Sequence, residues 1–400
     1  MTAKQIILNS LDKKDSYTKN NNGDSIFNEK FMTHTNFAKN ITDVYPMDTK
    51  NNYEFGDTVH FEIDQIGDLL SKITFYLEFS NIEKKCLDNF SIVPEIMHAI
   101  IKSITIRSNN TVIQKLTGHS IYIQNQLYSP KETLNISNAG FINKNTFDGE
   151  KHILYLDIPF WFTKELDKAL PLLSLNYEKI SIDLELNNFS NISKNLDEIN
   201  FCLKNIKLIG EYINLDNDEK IRYINNPSEY IIEQIEYRDL EIEKNMSSSK
   251  KINIDKYSLV SELIWVFSKN NLENKNLYFN YWKDDVNNGN EHCRNVRVLL
   301  NGNSINSLLK SSYYRKIQRY QNHPSSSLLT KQNNLNCIYQ YSFSLNPDNI
   351  KSSGFLSLNK FNSVNLDIQI LPTDFKRIMR IIIKKYNILK IDNGNLYLLN

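Results

Sequence analysis

Strict alternation of apolar and polar side chains is the feature that most narrows what this chain can fold into. Val59-His60-Phe61-Glu62-Ile63-Asp64 changes character at every residue, the period of a β-strand with one wet face and not of a helix. Ile73-Thr74-Phe75-Tyr76-Leu77-Glu78-Phe79, Ile180-Ser181-Ile182-Asp183-Leu184-Glu185-Leu186 and Val364-Asn365-Leu366-Asp367-Ile368-Gln369-Ile370 do the same. Strands of this kind belong to antiparallel sheets packed on one face, whereas parallel sheets, covered on both, read as solid apolar runs. The expectation is therefore an all-β fold of sandwich type, and the 22 Tyr and 20 Phe point the same way. One strand slips in phase: Ile235 and Tyr237 share one parity, Leu240 and Ile242 the other. A β-bulge across Arg238-Asp239 would return both sets to one face. Only 118–128 and 308–320 read as helices, each after a predicted hairpin. The Asn-, Ser- and Pro-bearing stretches 81–95, 129–150, 187–200, 214–228, 244–251 and 321–336 read as loops.

The pattern occurs twice. Ile104-Thr105-Ile106-Arg107-Ser108-Asn109-Asn110-Thr111-Val112-Ile113 reads as strand, tight turn, strand, and so does the segment from Val296 to Ile305 around an Asn301-Gly302 turn. The two hairpins lie about 190 residues apart, as do Ser71-Lys72-Ile73 and Ser261-Glu262-Leu263, and a shared offset of nearly half the chain predicts two copies of one β domain. The implied division is an N-terminal segment over 1–47, a first domain over 48–213, a linker over 214–228 and a second domain over 229–400.

Charge and motifs exclude several functions. Lys and Arg number 47 against 46 Asp and Glu, a formal charge of +1, and the first thirty residues mix Lys13, Lys14 and Lys19 with Asp12, Asp15 and Asp24. A chain that coats nucleic acid carries a basic excess, because phosphate neutralisation supplies most of the non-specific affinity. Direct or sequence-specific nucleic-acid binding is not expected. Cys86, Cys202, Cys293 and Cys337 form no CxxC pair and read as isolated thiols of a reducing compartment. His292-Cys293, His323 and Cys337 lack the ligand spacing of a structural zinc site. The chain has no GxSxG, no HExxH and no phosphate-cradling glycine loop. No catalytic, cofactor-binding or metal residue is assigned, no cofactor is implied and no enzyme is expected. With no signal-type opening and no run near about 18 apolar residues, a soluble chain made in the cytosol is expected.

Several stretches resemble the major capsid proteins of nucleocytoplasmic large DNA viruses (iridoviruses, phycodnaviruses, mimiviruses and relatives). Phe31 with His34-Thr35-Asn36-Phe37-Ala38 is similar to the family's aromatic-rich segment leading into the first strand, and Gly67-Asp68-Leu69-Leu70 to its entry into the second. Ile158-Pro159-Phe160-Trp161-Phe162, continuing to Ala169-Leu170-Pro171-Leu172-Leu173-Ser174-Leu175, resembles its Phe-Trp-Phe and Ala-Leu-Pro signature. Tyr320-Gln321-Asn322-His323, then Tyr341-Ser342-Phe343-Ser344-Leu345-Asn346-Pro347 with Ser353-Gly354, follow in family order.

The resemblance implies two tandem eight-stranded jelly-roll sandwiches, a double jelly roll, with a few short helices in the loops. It further implies a pseudo-hexameric homotrimer that tiles the icosahedral shell of a large DNA virus. The implied partners are the chain itself, within and then between trimers, minor capsid and penton proteins, and an inner viral membrane on one face. The implied location is the virion, after synthesis in the host cytoplasm. Two other readings stay open: a paralogous minor capsid or transient scaffold protein of the same fold, and a two-domain jelly-roll glycan-binding or glycan-processing protein. In the last, Phe160-Trp161-Phe162 is a stacking platform; in the capsid reading it is core and trimer interface. His34-Thr35-Asn36 is expected to satisfy backbone groups in an ordered N-terminal segment. Lys376-Arg377, Arg380 and Lys384-Lys385 are expected on the solvated side of a last strand above Ile381-Ile382-Ile383. The sequons at Asn40, Asn109, Asn135, Asn188, Asn191 and Asn245 are expected by chance in an Asn-rich chain, with Asn109 in an accessible turn.

Overall fold

The structure, a computed structural model, describes residues 34–50, 52–79, 93, 95–127, 152–192, 203–269, 278–284, 290–323, 336–347 and 352–399, with Gln5. Phe31, Cys86, Cys202, Asn135, the predicted loop over 129–150 and most of those over 81–95, 187–200 and 321–336 lie outside the described residues.

The alternating segments become strands, and the strands fall into four antiparallel sheets. In the first, β1 (Phe37–Val44), β9 (Leu203–Leu215), β3 (Leu69–Phe79) and β6 (His152–Asp157) lie side by side in that order, with the two-residue β7 (Leu170–Pro171) on β3. The second runs β2 (Thr58–Ile63), β8 (Ile180–Leu186), β4 (Ile101–Ser108), β5 (Thr111–Leu116). The third runs β10 (Ser228–Ile242), β18 (Arg377–Asp392), β12 (Val260–Lys269), β16 (Tyr339–Ser342), with β19 (Asn395–Leu399) on β18. The fourth runs β11 (Ser249–Asn253), β17 (Val364–Ile370), β13 (Cys293–Leu300), β14 (Asn303–Ser304), with β15 (Leu309–Lys310) on β13. Setting aside β7, β15 and β19, each half of the chain arranges eight strands as 1-8-3-6 and 2-7-4-5. That is jelly-roll order, used twice. Alternation sets the cores: Ile180, Ile182, Leu184 and Leu186 are buried with the polar residues between them less so, and they pack in one cluster with Phe61, Ile73, Phe75 and Ile104.

The repeat extends to a shared irregularity. β3 breaks register at Ser71, between Leu70 and Lys72, and β12 breaks at Ser261, between Val260 and Glu262. These are the segments that match by sequence offset. The Asn301-Gly302 turn has both residues at positive φ, 50° and 81°, the mirror-image turn whose twist suits a two-residue hairpin.

Three expectations are corrected. β10 carries no bulge: it pairs with β18 in unbroken register from Ser228↔Ile391 to Ile242↔Arg377. Its apolar residues occupy both parities because both faces are covered. Ile232 and Ile242 belong to the core, while Ile235 and Tyr237 line a cleft shared with Lys115 and His119 of the first jelly roll. The stretch 214–228 is not a loop: β9 runs to Leu215, and Asn217–Asn225 is a helix. Asp216 caps it by accepting from the Asn217 N–H, and Asp218 and Glu219 sit in its first turn, where acidic groups complement the helix dipole. Of 308–320, Leu309–Lys310 is strand, and the helical part is a π-turn over Tyr313–Ile317 continuing into Gln318–Asn322. The other expected helix spans Gly118–Leu127. We label Ile96–Ile100 α1, Gly118–Leu127 α2, Asn217–Asn225 α3 and Gln318–Asn322 α4.

Candidate functional site at the seam between the two jelly rolls

β5 and β10 each end a sheet, so each has a free edge whose backbone groups need partners. Glutamines supply them. Buried Gln114 of β5 donates to the Glu233 carbonyl (3.0 Å) and accepts from the Trp161 N–H (3.0 Å). In return, Gln234 of β10 donates to the Ile113 carbonyl.

The Glu233 side chain is the electrostatic centre of the seam. It is buried and paired with Lys164 of the first jelly roll and with Lys384 of β18, the latter at 2.8 Å. Lys384 also donates to the Pro347 carbonyl (3.0 Å). Burial alone raises a carboxyl's pKa, but the two ammonium groups outweigh it and pull Glu233 down to about 2. Further along β18, opposite Asp239, Arg380 donates to Asp239 (3.0 Å), Ser268 (3.2 Å) and the Tyr237 hydroxyl.

An aromatic wedge makes the third contact. Tyr278, Phe279 and Tyr281, from the connection between β12 and β13, lie on the α1–α2 region of the first jelly roll. Phe279 stacks on Tyr122 with ring centroids 4.2 Å apart, and Tyr278 stacks on His119 at 5.0 Å. The His119 ring meets the Tyr281 hydroxyl at 3.0 Å. Asn336 ties the wedge together: it donates to the Tyr122 hydroxyl (3.0 Å) and the Phe279 carbonyl, and accepts from the N–H groups of Tyr281 (2.9 Å) and Cys337 (3.1 Å). Asn187 donates to the Tyr278 hydroxyl (3.2 Å) and the Ala99 carbonyl (3.1 Å), and Arg319 of α4 donates to the Gln126 carbonyl.

Under the wedge, Glu95 sits 3.8 Å from the His98 ring. Burial pushes the Glu95 carboxyl up to about 8 and the His98 imidazole down to about 3, so the neutral forms are favoured on both. A carboxyl whose folded pKa exceeds its unfolded value binds more protons when folded. Its contribution is therefore complete below about pH 4.5 and is lost as pH rises through about 8. Glu95→Gln is expected to remove that decline, gaining about 4 kcal/mol over the wild type at pH 8 and little at pH 4.5. Urea unfolding at both values checks this; an equal difference at the two contradicts it.

The sequence-assigned residues are dispersed. His34 is exposed, its ring 3.0 Å from the Thr35 carbonyl. Phe160, Trp161 and Phe162 are all buried, and the Trp161 ring meets Tyr230 of β10 at 5.6 Å. That signature thus faces the seam inside the chain, neither a surface platform nor open to another copy. His323 pairs with Glu262 at 2.8 Å, both fully buried, while His292 meets Arg377 at 3.2 Å. Cys293 and Cys337 are buried free thiols, Cys337 donating to the Tyr339 hydroxyl at 3.1 Å. Among the described residues no three His, Cys, Asp or Glu side chains gather as metal ligands would. Asn109 is exposed in the β4–β5 turn, donating to Glu178 at 2.7 Å.

The basic stretch corrects an expectation. Of Lys376, Arg377, Arg380, Lys384 and Lys385 only Lys376 is exposed. β18 is an inner strand, between β10 and β12, so its cations sit in ion pairs across the sheet: Arg380–Asp239, Lys384–Glu233 and Lys385–Glu236 (2.7 Å). The seam itself was not legible in the sequence. Its one trace was the dense aromatic run Tyr278-Phe279-Asn280-Tyr281-Trp282 in a non-alternating stretch.

Comparison with known proteins covers both halves. A family profile for the major capsid protein N-terminus matches residues 25–217, and one for the large eukaryotic DNA virus major capsid protein matches 219–396. The chain is 24% identical to the major capsid protein of Pyramimonas orientalis virus over 95% of both chains, and 21% identical to probable capsid protein 4 of Acanthamoeba polyphaga mimivirus over 92% of this chain and 93% of that one. Among solved structures it is similar to a PBCV-1 virus capsid chain (TM-score 0.78, 18% identity, 94% of this chain and 100% of that one). It is also similar to the Faustovirus major capsid protein (TM-score 0.72, 11% identity, 98% and 94%).

Proposed function

From the premise that this chain belongs to the large eukaryotic DNA virus major capsid protein family, we propose that it assembles as a homotrimer and that the trimers tile an icosahedral shell. Two jelly rolls in each of three chains place six similar barrels about one axis, and six-sided units pack edge to edge. The observation that carries this reading is the seam. Ion pairs, glutamine bridges and an aromatic wedge join two barrels of identical topology, so each chain enters assembly as a preformed pair. A near-zero net charge suits crowding, since strong like-charge repulsion would oppose it. The division we assign runs the first jelly roll from β1 at Phe37 to β9 at Leu215 and the second from β10 at Ser228 to β19 at Leu399, with α3 between them; the expected start at 48 falls too late because β1 is that barrel's first strand. On this reading the chain is a building block and not an enzyme. It is made in the host cytoplasm, and it meets minor capsid proteins, penton proteins and an inner viral membrane in the particle. Quantitative mass spectrometry of purified particles tests it: the chain should be among the most abundant components. A chain absent from particles would be a transient scaffold, and a scarce one a minor component.

A further inference from the structure

Away from the seam, cations collect at one end of the second jelly roll without acids to balance them. β10 starts beside the end of β18, at Ser228↔Ile391, and finishes beside its start, at Ile242↔Arg377. The end of the barrel that bears Arg377 is therefore opposite the end that α3 enters. At that far end the start of β13 meets the end of β17, at Cys293↔Ile370, and Lys310 closes β15 beside Asn295. A cleft of about 450 Å³ opens there, and Lys283, Arg294 and Lys310 line it together with Glu291, Asn290 and Ser312.

The acids nearby are already engaged. Glu291 is the one carboxylate among the described residues that line the cleft. One of its oxygens accepts from Arg315 at 3.0 Å, and the other accepts from the Ser311 hydroxyl and meets the Tyr339 hydroxyl at 3.4 Å. Asp284, next to Lys283 in the chain, accepts from the Asn290 amide. The cations are in the opposite condition. Arg297, on the same strand as Arg294, meets Asp367 at 2.8 Å, but among the described residues no carboxylate pairs with Lys283, Arg294 or Lys310. Arg294 and Lys310 are exposed and Lys283 is half-buried. Three like charges around one concavity repel each other, and the concavity concentrates their field on whatever enters it.

We propose that this cleft binds a doubly charged tetrahedral oxyanion, the phosphate or sulfate group of an ester, with Lys283, Arg294 and Lys310 on its oxygens and the Ser312 hydroxyl as a neutral donor. Hydrogen bonds to an ionised group are about twice as strong as neutral ones, and the planar fork of Arg294 can reach two oxygens at once. A monoanion would leave most of the positive charge unbalanced, whereas a dianion offsets it. The cleft has the volume of roughly fifteen waters, which leaves room for the molecule that carries the ester. All of these residues belong to one chain, so the site goes beyond the assembly reading and does not depend on it.

Titration calorimetry of the purified chain with inorganic phosphate, inorganic sulfate, glucose 6-phosphate and glucose 6-sulfate tests it. The wild type should bind at one site per chain, more weakly as salt is raised, because the cations are open to screening. The triple variant Lys283→Gln, Arg294→Gln, Lys310→Gln should bind about tenfold more weakly or worse. Lys256→Gln, an exposed change on the connection between β11 and β12, should bind as the wild type does. None of the three substituted side chains holds an ion pair, so the triple variant should keep its thermal midpoint without ligand. The rise in midpoint that the ligand gives the wild type should vanish in it. Tighter binding of the esters than of the inorganic ions identifies a ligand carried on a larger molecule; equal binding identifies the free ion. No binding of any of the four at millimolar concentration, or equal binding by the wild type and the triple variant, overturns the site.

Discussion

Glu233→Ala is expected to lower the stability of the folded chain by about 3–5 kcal/mol, since removing one partner of a buried ion pair strands the others. Here two largely buried cations are stranded at once, Lys164 and Lys384. Glu233 is almost wholly buried, so solvent screening softens little of the loss. The same carboxylate sets an acid dependence. Its folded pKa, about 2, lies below the ordinary 4.5, so its contribution is complete above about pH 4.5 and disappears as pH falls towards 2. Urea unfolding from pH 5 to pH 2 should show a decline in the wild type that is shallower in Glu233→Ala. Parallel curves would mean that Glu233 does not hold the seam.

Phe279→Ala is the second large effect, also about 3–5 kcal/mol, the range for truncating a buried aromatic that leaves a cavity. Phe279 stacks on Tyr122 and meets Tyr278 (4.9 Å), His119 (5.3 Å) and His98 (6.2 Å), so its loss empties the centre of the wedge. Each jelly roll keeps its own strands and most of its own core, and the damage falls on the joint between them. Calorimetry should then resolve two unfolding transitions where the wild type shows one. A single transition shifted as a whole would place Phe279 in a common core and not at a joint.

What the sequence made legible follows from the physics of each feature. Alternation reports a strand covered on one face, so β8 and β17 matched their predicted limits of 180–186 and 364–370. The same rule misread β10. A strand that faces its own core on one side and another barrel on the other carries apolar residues at both parities, and that pattern imitates a bulge. The basic stretch failed for a related reason: charge predicts solvent only when no counter-charge waits across the sheet, and Glu233, Asp239 and Glu236 wait there. The α3 helix was masked by Asn214, Asn217, Asn225 and Asn226, which favour turns, although Asp216 is an ordinary helix cap. Seam residues such as Gln114 and Asn336 could not have been singled out, because a buried amide is defined by partners distant in sequence.

The mass of the purified protein in solution tests the central claim most directly. A preformed pair of barrels that builds a six-barrel unit predicts a stable species at three times the 46.9 kDa chain by light scattering, at micromolar concentration. A species that stays at the mass of one chain under those conditions would contradict it.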